Sequence, residues 1–236
     1  MLKVAKDDVR DGFEESVNAV ILGEELPSVE QKDNGSICEC EARVRAYMSM
    51  IRIGESSTTD KAYTMAFGGS QFTDISKHPE KNYGGSTAAG AYQVMRFTWW
   101  ELNGFELNRK FQKTGKYIEN KDYIKKYNIK DYSPESQDKI CVILLKHKRA
   151  GILPLIINDK IEKATRKYGS LEWASLPYEG DNSKYDFKGK PQPATKMKDV
   201  LSHYEEYYEK ELKGITNLHI EKGFLKEFGF PCCKQN

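Results

Sequence analysis

The sequence predicts an α+β fold that is mostly helical and carries a small β-hairpin. The helical part is indicated by apolar residues that recur at spacings of three and four in several segments, as on the buried face of an α-helix. The hairpin is indicated by residues 56–86, which are rich in glycine, serine, threonine and aromatic residues and resemble short strands joined by turns.

The composition describes a soluble globular protein. The chain has 236 residues, of which 39% are hydrophobic and 31% charged, enough for one domain with appendages or two small ones. Its 37 basic and 35 acidic residues leave a net charge of +2, so nucleic acid is not expected as a partner. No apolar stretch is long enough to span a membrane, and the acidic start lacks the apolar core of a signal peptide. We expect a protein that is made in the cytoplasm.

The N-terminal region is predicted to be an appendage. Residues 4–26 have the pattern of an amphipathic helix that Pro27 ends, and residues 28–36 read as a linker containing a turn. We therefore divide the chain into a helical arm with its linker (residues 1–36), a main domain (residues 37–212) and a C-terminal tail (residues 213–236).

The main domain is predicted to begin with a helix over residues 40–53, which Gly54 would end. Two short strands, residues 63–67 and 71–75, would form the hairpin, with Gly68 and Gly69 in its turn. A helix over residues 88–102, capped by Ser86 or Thr87, would follow.

The second half of the domain is predicted to be helical with long loops. Residues 103–132 read as a loop with a short helix, and Ser133 and Pro134 are typical of the start of a core helix that would reach Ala150. The remaining predictions are a short helix (159–167), an aromatic turn (173–177), a polar loop (178–193), a last long helix ending at Leu212, and a tail to which we assign no structure.

Glu55 is the leading candidate for a catalytic residue. It is expected just past the C-terminus of the first helix of the main domain, where the helix dipole is negative and disfavours a carboxylate. Apolar neighbours would disfavour the charge further, and both effects raise a carboxyl pKa, as a proton donor at neutral pH requires. A surface glutamate in a loop is the alternative.

Several polar and aromatic residues could line a cleft with Glu55. Aromatic rings and amide side chains near an acid hold sugars by stacking and hydrogen bonding. The candidates are Phe72, Tyr92, Gln93, Trp173 and Tyr178, each of which could equally be a core or surface residue.

The five cysteines suggest neither a metal site nor a cofactor. Their spacing does not match a zinc site, and Cys141 lies in an apolar helical run as a buried small residue would. Reduced cysteines are favoured, while a disulfide between the pair Cys38/Cys40 and the pair Cys232/Cys233 is an alternative.

Five segments occur in order along the chain, namely residues 54–57 (GESS), 67–79 (FGGSQFTDISKHP), 86–93 (STAAGAYQ) with Trp99 and Trp100, 131–138 (DYSPESQD) and 173–177 (WASLP). Together they resemble the lambda-type phage endolysins, which are peptidoglycan lytic transglycosylases. The resemblance covers residues 42–208 and rests on the order of all five. It implies a lysozyme-like fold, with helices around a small β-hairpin lobe and a substrate cleft between them.

The resemblance also implies the chemistry. Glu55 would protonate the glycosidic oxygen between N-acetylmuramic acid and N-acetylglucosamine, then take a proton from the muramyl 6-hydroxyl, giving a 1,6-anhydromuramyl end without using water. Gly68 and Gly69 would let the backbone approach the sugar. Asp74 is a rival carboxylate that we interpret as stabilising a turn, and His78 as a structural hydrogen-bonding residue.

The chain departs from that family in several places. Ser56 stands where the phage proteins have glycine, residues 103–130 and 178–193 are longer, and residues 1–36 have no counterpart. Residues 41–48 also resemble lysozyme-like modules of secreted antibacterial effectors. That setting would imply an immunity protein that plugs the cleft, and in either setting the place of action would be the periplasm or the cell wall of a bacterium.

Two other functions stay open at this point. A muramidase that hydrolyses the same bond would need a second carboxylate, for which Asp74 is the nearest candidate. A peptidoglycan-binding module without activity would keep the aromatic residues but would not need Glu55.

Overall fold

A computed structural model describes residues 37–186 and 191–230 of the chain. The helix predicted over residues 4–26, the linker that follows it, and Cys232 and Cys233 lie outside the described residues. The structure therefore tests neither the N-terminal arm nor the disulfide alternative.

The described residues confirm the mostly helical α+β class. Strands Asn103–Leu107 and Lys113–Asp122 form an antiparallel two-stranded sheet. A π-helical segment, Leu144–Lys148, continues one of the α-helices, and 3₁₀ turns cover Asp60–Thr64, Phe67–Gly69 and Gly169–Leu171. The α-helices are Glu39–Glu55, Arg96–Leu102, Tyr123–Lys126, Pro134–Ile143, Ile152–Ile157, Ile161–Lys167, Met197–Leu212 and Phe224–Glu227.

Helix Glu39–Glu55 is the centre of the core. It packs against helices Met197–Leu212 and Ile152–Ile157, and Val44, Tyr47 and Ile51 are fully buried. A helix that is buried on nearly every side is held mainly by tertiary packing, so this element fixes the position of Glu55 at its end.

The tail after helix Met197–Leu212 packs back onto this helix. Leu218, Ile220, Phe224, Leu225 and Phe228 are buried in the core. Arg45 and Arg52 of the central helix hold the tail by its backbone. Their guanidinium groups donate to the carbonyl oxygens of Ile220 (3.0 Å, from Arg45) and Asn217 (2.7 Å, from Arg52). Buried arginines need such partners, since an unpaired buried charge is costly.

Several predicted helices are confirmed. Pro134–Ile143 begins at the predicted proline, and the Ser133 hydroxyl oxygen accepts the amide of Ser136 as an N-cap. Met197–Leu212 ends at the predicted residue. Helix Ile152–Ile157 was not predicted, because a short continuous apolar run has no helical period to recognise.

The predicted position of the hairpin is wrong. In place of two strands over residues 63–75, a 3₁₀ turn covers Asp60–Thr64, and Met65 and Gln71 form an isolated bridge. The regular hairpin lies in residues 103–122, which were predicted to be a loop with a short helix. Its second strand is almost entirely exposed, so it lacks the alternation of apolar and polar residues by which a strand is recognised.

The helix predicted over residues 88–102 starts only at Arg96. Before it, residues 89–94 form a tight loop closed by hydrogen bonds between the backbones of Ala89 and Val94 (3.1 and 3.0 Å). Gly90 and Gln93 have left-handed backbone conformations (φ +79° and +46°), which interrupt a right-handed helix. Within the described parts of the chain, no helix is long and apolar enough to cross a membrane.

Candidate functional site

Glu55 is the last residue of helix Glu39–Glu55, so Gly54 does not end the helix as predicted. The chain leaves the helical conformation at Ser56, whose hydroxyl donates to the carbonyl oxygen of Ala91 (2.6 Å). This bond ties the helix end to the loop of residues 89–94.

Gly54 has a different role from the predicted one. A Cβ atom at this position would lie 2.5 Å from the Ser175 hydroxyl oxygen, a distance that real Cβ contacts do not show. Glycine therefore lets the segment around Ser175 approach the end of the helix.

The Glu55 carboxylate receives two hydrogen bonds at one oxygen. The Ser175 hydroxyl and the Ser175 amide both donate to Oε1, at 2.5 and 3.2 Å. Burial raises the pKa of Glu55, while the two bonds from Ser175 lower it and the charge of Glu172 raises it slightly. Burial is the largest of these effects, although the residue as a whole is only half-buried, so the raised pKa predicted for Glu55 is present in the structure.

Glu172, whose negative charge contributes to the raised pKa of Glu55, is itself paired with two cationic side chains. It forms ion pairs with Arg149 at 3.0 Å and with Lys148 at 3.4 Å, and its side chain is largely buried. A carboxylate held in this way is a structural charge and is poorly suited to act as a base or a nucleophile.

The rival carboxylate, Asp74, has the environment of a turn residue. It is exposed, and its Oδ1 accepts the backbone amide of Ser76 at 2.9 Å. The hydrogen bonds from Ser76 lower the pKa of Asp74, so it stays ionised and cannot serve as a proton donor at neutral pH. This geometry agrees with the turn-stabilising interpretation.

Three of the residues predicted to bind substrate are buried, so a sugar cannot reach them. Tyr92 is 1% exposed, Trp173 2% and Phe72 8%. The Trp173 indole donates to the carbonyl oxygen of Tyr92 at 3.3 Å, and the Phe72 ring packs near the ring of Tyr132. Trp173 thus supports the loop of residues 89–94, and burial makes all three rings unavailable for the predicted sugar contacts.

Tyr92 belongs to a buried network around Asp138 that was not predicted. One Asp138 oxygen accepts the hydroxyls of Tyr92 (2.7 Å) and Tyr63 (2.8 Å), and the other accepts the backbone amides of His219 (2.6 Å) and Ile220 (3.2 Å). Asp138 thus joins the tail to the elements behind Glu55. A local pattern in the sequence does not reveal this, since the partners lie 46 to 82 residues away.

The remaining predicted site residues are accessible. Gly68 and Gly69 are exposed, have positive φ angles (+80° and +83°) and have open space where a side chain would be. Gln93 is half-buried, and its amide group donates to the carbonyl oxygens of Gly90 (2.9 Å) and Met65 (3.2 Å). Tyr178 is also half-buried, with the Lys184 ammonium 4.5 Å from its ring centroid. Solvent can reach all four positions, and substrate binding by them stays a prediction.

His78 and Cys141 have the structural roles predicted for them. His78 is fully buried, with Nε2–H donating to the carbonyl oxygen of Val94 (2.8 Å) and Nδ1 accepting the amide of Glu80 (3.0 Å). Cys141 is fully buried in the core. Among the described residues, no group of three or more His, Cys, Asp or Glu side chains is arranged to hold a metal ion.

The chain is similar to endolysin and lysozyme of bacteriophage lambda. A family model described as Endolysin matches residues 45–209, more than half of the chain. The endolysin of Escherichia phage lambda is 32% identical over 132 residues, covering 54% of this chain and 68% of that protein. A structure of bacteriophage lambda lysozyme complexed with a chitohexasaccharide shares 26% identity, with a TM-score of 0.49 and coverage of 79% of this chain and 99% of that one. Another structure, of lysozyme from bacteriophage lambda, shares 24% identity, with a TM-score of 0.48 and coverage of 75% and 97%.

Proposed function

This chain belongs to the endolysin family and is a peptidoglycan-cleaving enzyme, and from that premise we propose how it cleaves. The bond cut is the one between N-acetylmuramic acid and N-acetylglucosamine, and the reaction is a transglycosylation that consumes no water. Glu55 is the acid and then the base. The observation that carries the proposal is the buried Glu55 carboxyl group with its raised pKa and its two bonds from Ser175.

Protonated Glu55 first donates its proton to the glycosidic oxygen as the bond from that oxygen to the muramyl anomeric carbon breaks. The ionised carboxylate then takes the proton of the muramyl 6-hydroxyl, whose oxygen bonds to the same anomeric carbon. The products are a 1,6-anhydromuramyl end and a free N-acetylglucosamine 4-hydroxyl, and Glu55 regains its proton. The Ser175 bonds stabilise the carboxylate between the two steps.

The surroundings of the other carboxylates support transglycosylation over hydrolysis. A hydrolase of the usual kind needs a second carboxylate as a base or nucleophile opposite the acid. Glu172 is neutralised by Arg149 and Lys148, and Asp74 is exposed and held by the amide of Ser76. An intramolecular nucleophile, the 6-hydroxyl, removes the need for such a group.

The test is mass spectrometry of the fragments released from purified peptidoglycan. We expect anhydromuramyl ends from the wild-type protein and from Asp74→Asn, and loss of at least 10²-fold in rate for Glu55→Gln, which cannot donate the proton. Reducing ends that are one water heavier, lost in Asp74→Asn, would establish hydrolysis in place of transglycosylation. Release of fragments by Glu55→Gln at the wild-type rate would remove Glu55 from the mechanism.

The proposed role is lysis of bacteria by attack on the cell wall. A role as an interbacterial effector with an immunity protein depends on the arm of residues 1–36, which lies outside the described residues. Deletion of residues 1–36 distinguishes the two settings. If the protein is a lytic enzyme, the deletion variant should still cleave isolated peptidoglycan and still lyse cells from within. If it is an effector, the variant should still cleave isolated peptidoglycan but should no longer be delivered into a neighbouring cell.

A further inference from the structure

A depression of about 450 Å³ lies between the hairpin and helix Arg96–Leu102, apart from the residues that surround Glu55. It is formed where the turn of the hairpin folds back towards the helix. Its lining residues are Thr87, Arg96, Phe97, Trp100, Lys110, Phe111, Gln112 and Lys113.

The charge of this depression is entirely positive. Its lining includes three cations, Arg96, Lys110 and Lys113, and no aspartate or glutamate. The Lys113 ammonium lies 3.8 Å from the centroid of the Phe105 ring and 4.7 Å from that of Trp100. In the parts of the chain that the structure describes, no carboxylate lies within ion-pairing distance of these three cations, whereas Lys116 on the same hairpin pairs with Glu106 at 3.1 Å.

The aromatic walls of the depression are held in place. Phe111 has a left-handed backbone conformation (φ +56°), which is unfavourable for a non-glycine residue and persists only where the surroundings enforce it. Its ring stacks on that of Phe97, with centroids 4.6 Å apart. On the other side, the Trp100 indole donates to the Glu80 carboxylate at 2.7 Å, and Arg96 lies over the Trp100 ring at 5.0 Å.

We propose that this depression binds a carboxylate of a peptidoglycan stem peptide, so that the protein recognises the peptide as well as the glycan that it cuts. Stem peptides carry several free carboxylates on short aliphatic residues. Lys110 and Lys113 would receive the carboxylate, and the rings of Phe97 and Phe111 would contact the methylene groups. This inference rests on the proposed function, since it concerns the same substrate.

The distance from the catalytic residue suits such a peptide. Ser56, next to Glu55, is bonded to the carbonyl oxygen of Ala91, and Thr87 in the lining lies four residues before Ala91. Four residues span at most about 14 Å, which is also the reach of an extended four-residue stem. The near edge of the depression is thus joined to the end of the Glu55 helix by a short stretch of chain, on the length scale of an extended stem peptide.

The experiment compares two substrates and two variants. The substrates are peptidoglycan with intact stems and glycan strands from which an amidase has removed the stems. The double variant Lys110→Gln/Lys113→Gln removes both exposed cations and leaves the backbone pairing of the hairpin intact, and Lys116→Gln is the matched control on the same hairpin. We expect kcat/KM of the double variant to fall about tenfold on intact peptidoglycan and to match the wild type on stripped strands. Lys116→Gln should match the wild type on both.

Equal losses on both substrates, or no loss on either, would overturn the proposal. A binding measurement separates it from the proposed function, because it needs no cleavage. The Glu55→Gln protein is titrated with the tripeptide L-Ala-γ-D-Glu-diaminopimelate, with the same peptide amidated at its carboxylates, and with inorganic phosphate. The site is supported if the unmodified tripeptide binds, the amidated peptide and phosphate do not, and the added changes Lys110→Gln/Lys113→Gln abolish the binding. This holds even if the glycan is cut by another mechanism. Equal binding of phosphate would show a general anion site and overturn the assignment to the peptide.

Discussion

Ser175 donates both its hydroxyl and its amide to the same carboxylate oxygen of Glu55, at 2.5 and 3.2 Å, although the two residues are 120 positions apart in the chain. The segment of Ser175 is held in turn by the amide of Thr195, which donates to the Ser175 carbonyl oxygen at 2.8 Å. Glu55 is thus positioned by the end of the central helix and by a loop from the other half of the domain. The same contact sets the balance between burial, which raises the pKa of Glu55, and hydrogen bonding, which lowers it.

Replacement of Ser175 by alanine should change the pH dependence of cleavage. The hydroxyl stabilises the ionised form of Glu55, so its removal raises the pKa of Glu55 further. Because the acid must be protonated to react, the alkaline limb of the profile of kcat/KM against pH should move to higher pH. The control is Ser183→Ala. In the wild type, the Ser183 hydroxyl donates to the carbonyl oxygen of Ala174 and not to Glu55, so the alkaline limb of this variant should stay in place. A limb that moves to lower pH in Ser175→Ala would contradict this account.

Gly54→Ala should lower activity while leaving the helix intact. Inside a helix, alanine is usually more favourable than glycine by about 1 kcal/mol. Here the new Cβ would lie 2.5 Å from the Ser175 hydroxyl oxygen, so Ser175 must move away from Glu55. We expect the alkaline limb to shift in the same direction as in Ser175→Ala, at a free energy of unfolding within about 1 kcal/mol of the wild type. Wild-type kinetics in Gly54→Ala would show that the contact between Ser175 and Glu55 has no role in catalysis.

Asp138→Ala should be among the most destabilising single changes in the described part of the chain. It would leave the buried hydroxyls of Tyr63 and Tyr92 and two backbone amides of the tail without their acceptor. Loss of one member of such a buried charged network costs about 3–5 kcal/mol. Urea denaturation measures this loss, with Glu135→Ala as the control on the same helix. The Glu135 side chain is half exposed and pairs with Lys139 at 3.2 Å, so its removal should cost less than about 1 kcal/mol.

The sequence predicted those parts of the site that depend on local patterns. The helix predicted over residues 40–53 placed Glu55 near a helix end, and the proline of Ser133-Pro134 marked the start of the helix that carries Asp138. The raised pKa of Glu55 followed from the same placement, although burial and not the helix dipole is its main cause.

The parts that were missed depend on contacts between distant segments. Ser175 is one serine among many, and its role arises only because Gly54 leaves space for it. Tyr92 and Trp173 were predicted to bind sugar since aromatic residues do so in clefts, but tertiary packing buries both. The hairpin was placed too early because residues 113–122 are polar and exposed, and such a strand is fixed by pairing with residues 103–107 and not by its own sequence.

The burial of His78 should make the protein less stable in acid. Burial lowers the pKa of His78 from 6.5 to about 4, and the two hydrogen bonds at its ring hold it in the neutral form with the proton on Nε2. Below about pH 6.5 the unfolded chain therefore binds a proton at this residue that the folded protein does not bind until about pH 4. The free energy of unfolding should fall as pH drops through this window, by about 3 kcal/mol at most for this residue.

His78→Gln tests this origin of the acid sensitivity. A glutamine amide can donate to the carbonyl oxygen of Val94 and accept the amide of Glu80 as the imidazole does, but it does not titrate. The variant should be somewhat less stable than the wild type at pH 7.5, since it loses the ring contacts with Trp99 and Tyr132. Its free energy of unfolding, measured by urea denaturation at intervals from pH 7.5 to pH 4.5, should fall less steeply than that of the wild type. Some slope should remain, because burial also lowers the pKa of His147 to about 4. If both proteins lose the same stability over this range, protonation of His78 is not the cause.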